Sequence, residues 1–213
     1  ANTLLEASIA PFVAHVESRM QTKNIAEAYV KQAPDIFIGG GMSYFQNSGN
    51  DRNLLDELKG KGYNIIKGID GIGNTCDGKL AVFTSESSMP DILHGRGNTF
   101  TESVRSAINF LSHSNKVFFL LVGDMFIDRA SHACNTELVG LETIDLDRAI
   151  GIALDFAEKD GNTLVIVVGG PEASGMVLTD GNMQKHEVIA KWAMHGMIHT
   201  GTMIPMFSYG PGS

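Results

Sequence analysis

Residues Asp145–Val168 read DLDRAIGIALDFAEKDGNTLVIVV. The first part puts Ala149, Ile150, Ala153, Leu154 and Ala157 on one face at helical spacing, so Asp145 to Lys159 is expected to be a helix lying on a core. The second part, Thr163 to Val168, reads as the clearest strand of the chain, and Val117 to Val122 is a continuous apolar strand short enough to be a buried parallel one. The same alternation extends outward. Asn24 to Gln32, Asp51 to Lys61 and Thr101 to Ser112 carry apolar residues at helical spacing. Asp35 to Ile38, Tyr63 to Ile66, Leu80 to Phe83, Val117 to Val122 and Ile204 to Tyr209 are strand-like, and Gly39-Gly40-Gly41 reads as the turn that ends the first of these. Strands alternating with helices of ten or more residues predict an α/β fold of three layers, a mostly parallel sheet with helices on both faces. In such sheets ligands sit at the carboxyl ends of the strands, which directs attention to the residues just after Val122 and Val168.

The whole chain has 213 residues, is 43% hydrophobic and 19% charged, and carries a formal net charge of -8. That balance excludes intrinsic disorder. The acidic charge disfavours nucleic acid as a partner, because a phosphate backbone selects basic surfaces. No apolar run reaches the ~18 residues of a membrane-spanning helix. Cys76 and Cys134 are too few for a disulfide framework, and they either form one bridge or stay free. A single domain over residues 1–213, cut at both ends, is the expected organisation.

After Val122 comes Gly123-Asp124-Met125-Phe126-Ile127-Asp128-Arg129-Ala130-Ser131-His132. A carboxylate and an imidazole four residues apart can point the same way, and together they suit Zn²⁺ or a similar divalent ion. An N-capping aspartate beside a surface histidine would leave the same spacing. After Val168 comes Gly169-Gly170-Pro171-Glu172, a turn with a single carboxylate, which also fits a plain strand exit. Near the end His186, His195 and His199 lie beside the only tryptophan, Trp192, and a third ligand from this group would make a three-ligand site with one open position. Arg19 offers a planar fork for a carboxylate or phosphate, or serves as a surface residue.

Taken together, four stretches resemble the alkaline phosphatase family, most closely its bacterial members. These are Ala14–Arg19 (AHVESR), Asp35–Phe45 (DIFIGGGMSYF), Ile127–Ala133 (IDRASHA) with Glu142, Asp145 and Asp147, and a closing set of Asp160–Val167 (DGNTLVIV), His199-Thr200-Gly201 and Tyr209-Gly210-Pro211. The resemblance implies phosphate monoester hydrolysis through a phosphoserine, with zinc and magnesium as cofactors and a small-molecule phosphate monoester as substrate. It matches Asp128, His132 and His199 to the three protein ligands of one zinc, Arg19 to the phosphate-clamping arginine, and Ser8 to a magnesium-binding threonine. It further implies a periplasmic or extracellular protein, commonly a homodimer, in which a Cys76–Cys134 bridge is tolerated.

The chain departs from the family pattern in three places. The ligands of the second zinc fall on Gly170 and Pro171. The magnesium-binding glutamate falls on Gly123. The N-terminal third of the family, which supplies the nucleophile, has no counterpart, so no catalytic residue is assigned. A chain lacking these groups is expected to be inactive by the phosphoserine route when alone, to hold one zinc, and to lack a complete magnesium site. The alternative is a non-catalytic, alkaline-phosphatase-like structural or binding protein that assembles with itself or with a missing segment.

Overall fold

The structure is a computed structural model, and it describes residues 2–46, 52–72, 78–114 and 116–213. The chain divides into two compact units, Ala1–Gly123 and Asp124–Ser213.

The first unit is built on a three-stranded parallel sheet. Its elements in chain order are α1 (Thr22–Gln32), β1 (Ile36–Gly40), α2 (Ser43–Gln46), α3 (Leu54–Gly60), β2 (Tyr63–Lys67), β3 (Lys79–Ser85) and α4 (Thr99–Ser112). The spatial order is β1-β3-β2, with Ile38 and Ile66 both opposite Val82. Successive side chains of a strand point to opposite faces. Ala81 and Phe83 therefore join the residues of α1 and α3, including Ile25, Tyr29, Leu54 and Leu58, on one side. Leu80 and Val82 meet Phe110 and Leu111 of α4 on the other. Helices on both faces of a parallel sheet are the α/β arrangement expected from the alternation. The first core is aromatic: Tyr29 meets Phe37 edge-on at 5.1 Å and Phe45 meets Phe83 edge-on at 5.1 Å. The Tyr29 hydroxyl donates to the Leu4 carbonyl at 2.7 Å, and burial pushes its phenol pKa well up.

The Gly39-Gly40-Gly41 stretch is part strand and part turn. β1 continues through Gly40, with a register shift between Gly39 and Gly40. A Cβ at Gly40 would sit 2.4 Å from the backbone oxygens of both Asn2 and Ser87, so only glycine lets three backbone segments close up there.

The run Val117–Val122 is a correction to the sequence reading. Residues 116–125 are in no strand ladder. Phe118 and Leu120 pack against the cluster containing Leu80 and Val82, while the neighbouring Val117 and Phe119 are exposed. An apolar run reports that a segment is fit for a central strand; whether it enters a ladder depends on neighbours far away in sequence.

The second unit contains α5 (Phe126–His132), α6 (Thr136–Asp160), β4 (Val165–Val168), β5 (Glu172–Ala173), β6 (Met176–Asn182), β7 (Glu187–Trp192), β8 (His199–Thr200) and β9 (Met206–Tyr209). The helix expected at Asp145 begins earlier, where the Asn135 side chain accepts from the Leu138 N–H at 3.0 Å. It ends at Gly161, whose φ of +71° suits a left-handed cap. β4 is the strand foreseen at Thr163–Val168, but its partner β9 runs antiparallel, so parallel pairing is confined to the first unit. The segment between them forms the antiparallel pairs β6–β7 and β5–β8, which no alternating pattern announced. No helix among the described residues is long and apolar enough to cross a membrane.

Candidate metal centre

Asp128 and His132 lie one turn apart on α5. Phe126 and Ala130 bury the inner face of this short helix, and the Ser131 hydroxyl donates back to the Ile127 carbonyl at 2.8 Å. The i,i+4 spacing brings Asp128 Oδ2 within 3.4 Å of His132 Nε2. His199 arrives from β8, with its Nε2 3.2 Å from Asp128 Oδ1 and 3.0 Å from His132 Nε2. The two rings stack with centroids 4.8 Å apart. One ligand atom from each of the three residues lies within 4.8 Å of the others.

The protonation pattern follows from the partners. His132 Nδ1 lies 3.1 Å from the Gly196 carbonyl, which can only accept, so Nδ1 carries the hydrogen, and it is the neutral ring in this tautomer that presents a lone pair at Nε2. Two imidazole nitrogens 3.0 Å apart need a proton or a cation between them. Tetrahedral zinc with bonds of about 2.0–2.1 Å would set two ligand nitrogens about 3.3 Å apart, close to the observed spacing. The donor set of one carboxylate and two imidazoles therefore fits a divalent cation with an open coordination position. The His132 side chain is only 6% exposed and that of His199 48%, so the open side lies toward His199.

Glu172, left open in the sequence as a lone carboxylate in a turn, holds His199 indirectly. The Thr200 hydroxyl donates to Glu172 Oε2, while the backbone N–H groups of Gly175 and Met176 donate to Oε1 at 2.9 and 3.3 Å. These bonds staple β8 to β5. The Thr200 bond first, then the backbone bonds and the nearby His199, hold the Glu172 pKa below the ordinary glutamate value. A carboxylate with a depressed folded pKa adds stability above its unfolded value, and that stability is lost as the pH falls through the folded one. The urea midpoint of Glu172→Gln should accordingly lie below that of the parent chain at pH 6, and the gap should begin to shrink as the pH falls below about 4.3 and vanish only below the lower folded value. A gap that persists in acid would assign it to packing.

Arg19 and Ser8 belong to the first unit. Arg19 is exposed and lines a cavity of about 500 Å³ with His15, Glu17, Leu5, Ala14 and Ile25. Ser8 Oγ lies 3.7 Å from the place a Cβ at Gly123 would occupy, so the two positions that the resemblance assigns to magnesium are neighbours, although Gly123 brings no ligand atom. Ile9 Cδ1 would sit 2.8 Å from that same Cβ. Nothing lies within 4 Å of a Cβ at Gly170, and Pro171 offers no side-chain donor.

Of the other histidines, His186 sits at the exposed β6–β7 turn and His195 meets Cys134, so only His199 of that group joins Asp128 and His132. Trp192 Nε1 donates to the Thr136 hydroxyl at 3.2 Å, tying β7 to the start of α6. Cys76 lies outside the described residues, and with it the Cys76–Cys134 pairing. Sequence reasoning missed the Gly196 carbonyl and the Glu172–Thr200 staple. The first is a backbone group that leaves no residue-type signal, and the second needed the β5–β8 pairing to be seen.

A family model described as Alkaline phosphatase matches residues 3–212. Alkaline phosphatase 4 of Bacillus subtilis (strain 168) is 31% identical over 180 residues, covering 81% of this chain and 39% of that protein. The alkaline phosphatase of Escherichia coli (strain K12) is 25% identical over 236 residues, covering 88% of this chain and 50% of its own length. The solved alkaline phosphatase from the Antarctic bacterium TAB5 superposes with a TM-score of 0.90 at 34% identity, covering 99% of this chain and 63% of that one. A point mutant of the TAB5 enzyme, described with Mg bound in its M3 site, superposes with a TM-score of 0.86 at 34% identity. The chain spans half or less of the length of these two curated relatives, at 39% and 50%.

Proposed function

The chain belongs to the alkaline phosphatase family, and from that premise we propose that it is part of a metal-dependent phosphate monoester hydrolase. The observation that carries this reading is the convergence of Asp128, His132 and His199 on one point from α5 and β8. We assign these three as ligands of one zinc ion. When bound, such a cation supplies a Lewis acid that polarises a phosphoryl oxygen and lowers the pKa of a bound water.

The chain's own residues do the rest. The carboxylate of Asp128 brings the one negative charge of the trio. The Gly196 carbonyl holds His132 in the tautomer that leaves Nε2 free. Glu172, through Thr200, fixes the strand that carries His199. Arg19 is the proposed phosphate-binding residue, since its guanidinium can donate two parallel hydrogen bonds to phosphate oxygens. The Ser8 hydroxyl is a proposed oxygen ligand for Mg²⁺ that needs further oxygens to complete a shell near Gly123.

Gly123, Gly170 and Pro171 bring no second set of ligands, and this supports a chain that takes up a cation but does not turn over phosphate esters by itself. The same three positions favour a second reading, a non-catalytic binding or structural member of the family. Exposed apolar residues on β4 and β9, among them Ile166, Val168 and Phe207, support association with a further segment or chain. An exported location, periplasmic or extracellular, is part of the proposal and rests on the resemblance to the bacterial members.

Zinc stoichiometry and p-nitrophenyl phosphate turnover test both readings, measured on residues 1–213 and on the natural full-length product. One zinc per 213-residue chain without turnover, together with chelator-sensitive turnover by the full-length product, is the expected result. A full-length product that binds the same single zinc and never turns over would favour the non-catalytic reading. A chain that binds no zinc would remove the metal assignment.

A further inference from the structure

The second unit holds another pair of reactive side chains, which the proposed chemistry does not use. Cys134 Sγ lies 3.2 Å from His195 Nδ1 and 3.5 Å from the Met194 carbonyl. Cys134 stands two residues beyond His132, at the end of α5, with a left-handed φ of +53° that is uncommon for a residue with a Cβ. The backbone there is tightly tied: the Cys134 N–H donates to the Ser131 carbonyl at 3.0 Å and the Asn135 N–H to the Ala130 carbonyl at 2.9 Å.

His195 directly precedes Gly196, whose carbonyl receives three donors. They are His132 Nδ1 at 3.1 Å, the Ser174 hydroxyl at 3.3 Å and the Ile198 N–H at 2.8 Å. Gly196 has a φ of +100°, a conformation that glycine takes without the steric cost a Cβ would bring. A carbonyl in such a loop is aimed by what anchors its flanks. On one flank the Met194 N–H donates to the Ser174 carbonyl at 3.1 Å, and the Cys134–His195 contact joins the same flank to the helix that carries His132.

We propose that Cys134 and His195 form a clamp that fixes the Gly196 carbonyl opposite His132 Nδ1, making Cys134 a positioning residue for the cation ligand His132. The thiol suits this place because one S–H faces two acceptors, the imidazole nitrogen and the Met194 carbonyl, at sulfur hydrogen-bond distances. With the clamp released, only the Ser174 hydroxyl and the Ile198 N–H still hold the Gly196 carbonyl, and its aim at His132 Nδ1 loosens. His132 then samples both tautomers, and only one of them offers Nε2 to the ion. The clamp's effect on zinc affinity rests on the cation reading above, whereas its effect on the His132 tautomer does not.

The test uses the 213-residue chain with ¹⁵N-labelled histidine. In the metal-free parent, long-range ¹H–¹⁵N spectra should show His132 as a single Nδ1–H tautomer. Cys134→Ala and His195→Ala should each give a mixture, and each should weaken zinc binding by about 10–100-fold, the usual cost of losing a group that orients a ligand. Cys134→Ser keeps an O–H donor and should stay within a few fold of the parent. The double variant should lose no more than either single one, because the two side chains act as one unit. An unchanged His132 tautomer in both alanine variants, or losses that simply add, would overturn the clamp. A parent chain that binds no zinc, but whose His132 tautomer responds to Cys134→Ala, would support the clamp and overturn the cation reading. Equal zinc binding by parent and Cys134→Ala, with the tautomer unmoved, would do the reverse.

Discussion

Asp128→Ala is expected to lower the zinc affinity of the chain by more than the roughly 10–100-fold that the loss of an orienting group costs, because it removes one of the three proposed ligands outright. The carboxylate supplies the only formal negative charge of the trio, and it reaches both imidazoles, at 3.4 Å from His132 Nε2 and 3.2 Å from His199 Nε2. Two neutral imidazoles left alone make a two-ligand site, below the three protein ligands of catalytic zinc. Asp128 is partly exposed, so its truncation opens no core cavity and the fold should survive. Competition with a chelating dye reads the affinity, and far-UV circular dichroism confirms that the chain is folded. Unchanged affinity and stoichiometry would place the ion elsewhere.

Phe83→Ala is expected to cost about 3–5 kcal/mol, the usual range for truncating a buried phenylalanine to alanine. The ring is 2% exposed on the central strand β3. It packs edge-on against Phe45 at 5.1 Å and Phe37 at 6.0 Å. These contacts tie β1, α2 and β3 into one core, so the vacated space is ringed by aromatic groups that cannot all close in. Domains are stable by only about 5–15 kcal/mol, so the first unit should be largely unfolded well below the parent's midpoint. Urea titration followed by near-ultraviolet circular dichroism measures this. A cost below about 1 kcal/mol would mean that the site collapses around the gap.

Glycines carry as much information here as ligands do. Gly40 is required by backbone crowding, with oxygens of two other segments 2.4 Å from where a Cβ would stand. Gly123 and Gly170 are different. One faces the movable end of Ile9 and the other faces open space, so neither is demanded by local packing of the same kind. Larger side chains are sterically admissible at Gly170 and need only a shift of Ile9 at Gly123. These positions are therefore the natural places to restore a carboxylate in a gain-of-ligand design.

Much of the fold was legible in residue order. The helix at Asp145–Lys159, the strands at Ile36, Tyr63 and Leu80, and the amphipathic Thr101–Ser112 stand where periodicity put them, because a face that must be buried repeats with the period of its element. The Val117–Val122 run and the direction of β4 were not legible. Ladder formation and strand direction depend on residues far apart in the chain, not on the strand's own composition. In the candidate site, Asp128 and His132 could be paired from their spacing on α5. His199, 67 positions beyond His132, entered only through a resemblance, since no local pattern relates them.

The sequence by itself determined the α/β class, through apolar period, and the family, through its motifs, and it paired Asp128 with His132 by their spacing, because these are local properties of the chain. Only the tertiary structure decided that β8 delivers His199 to α5, that Glu172 holds that strand, and that a backbone carbonyl at Gly196 selects the tautomer of His132. Those outcomes depend on distances of a few ångströms between residues tens of positions apart. Such distances arise from the packing of the whole unit, and no short stretch encodes them.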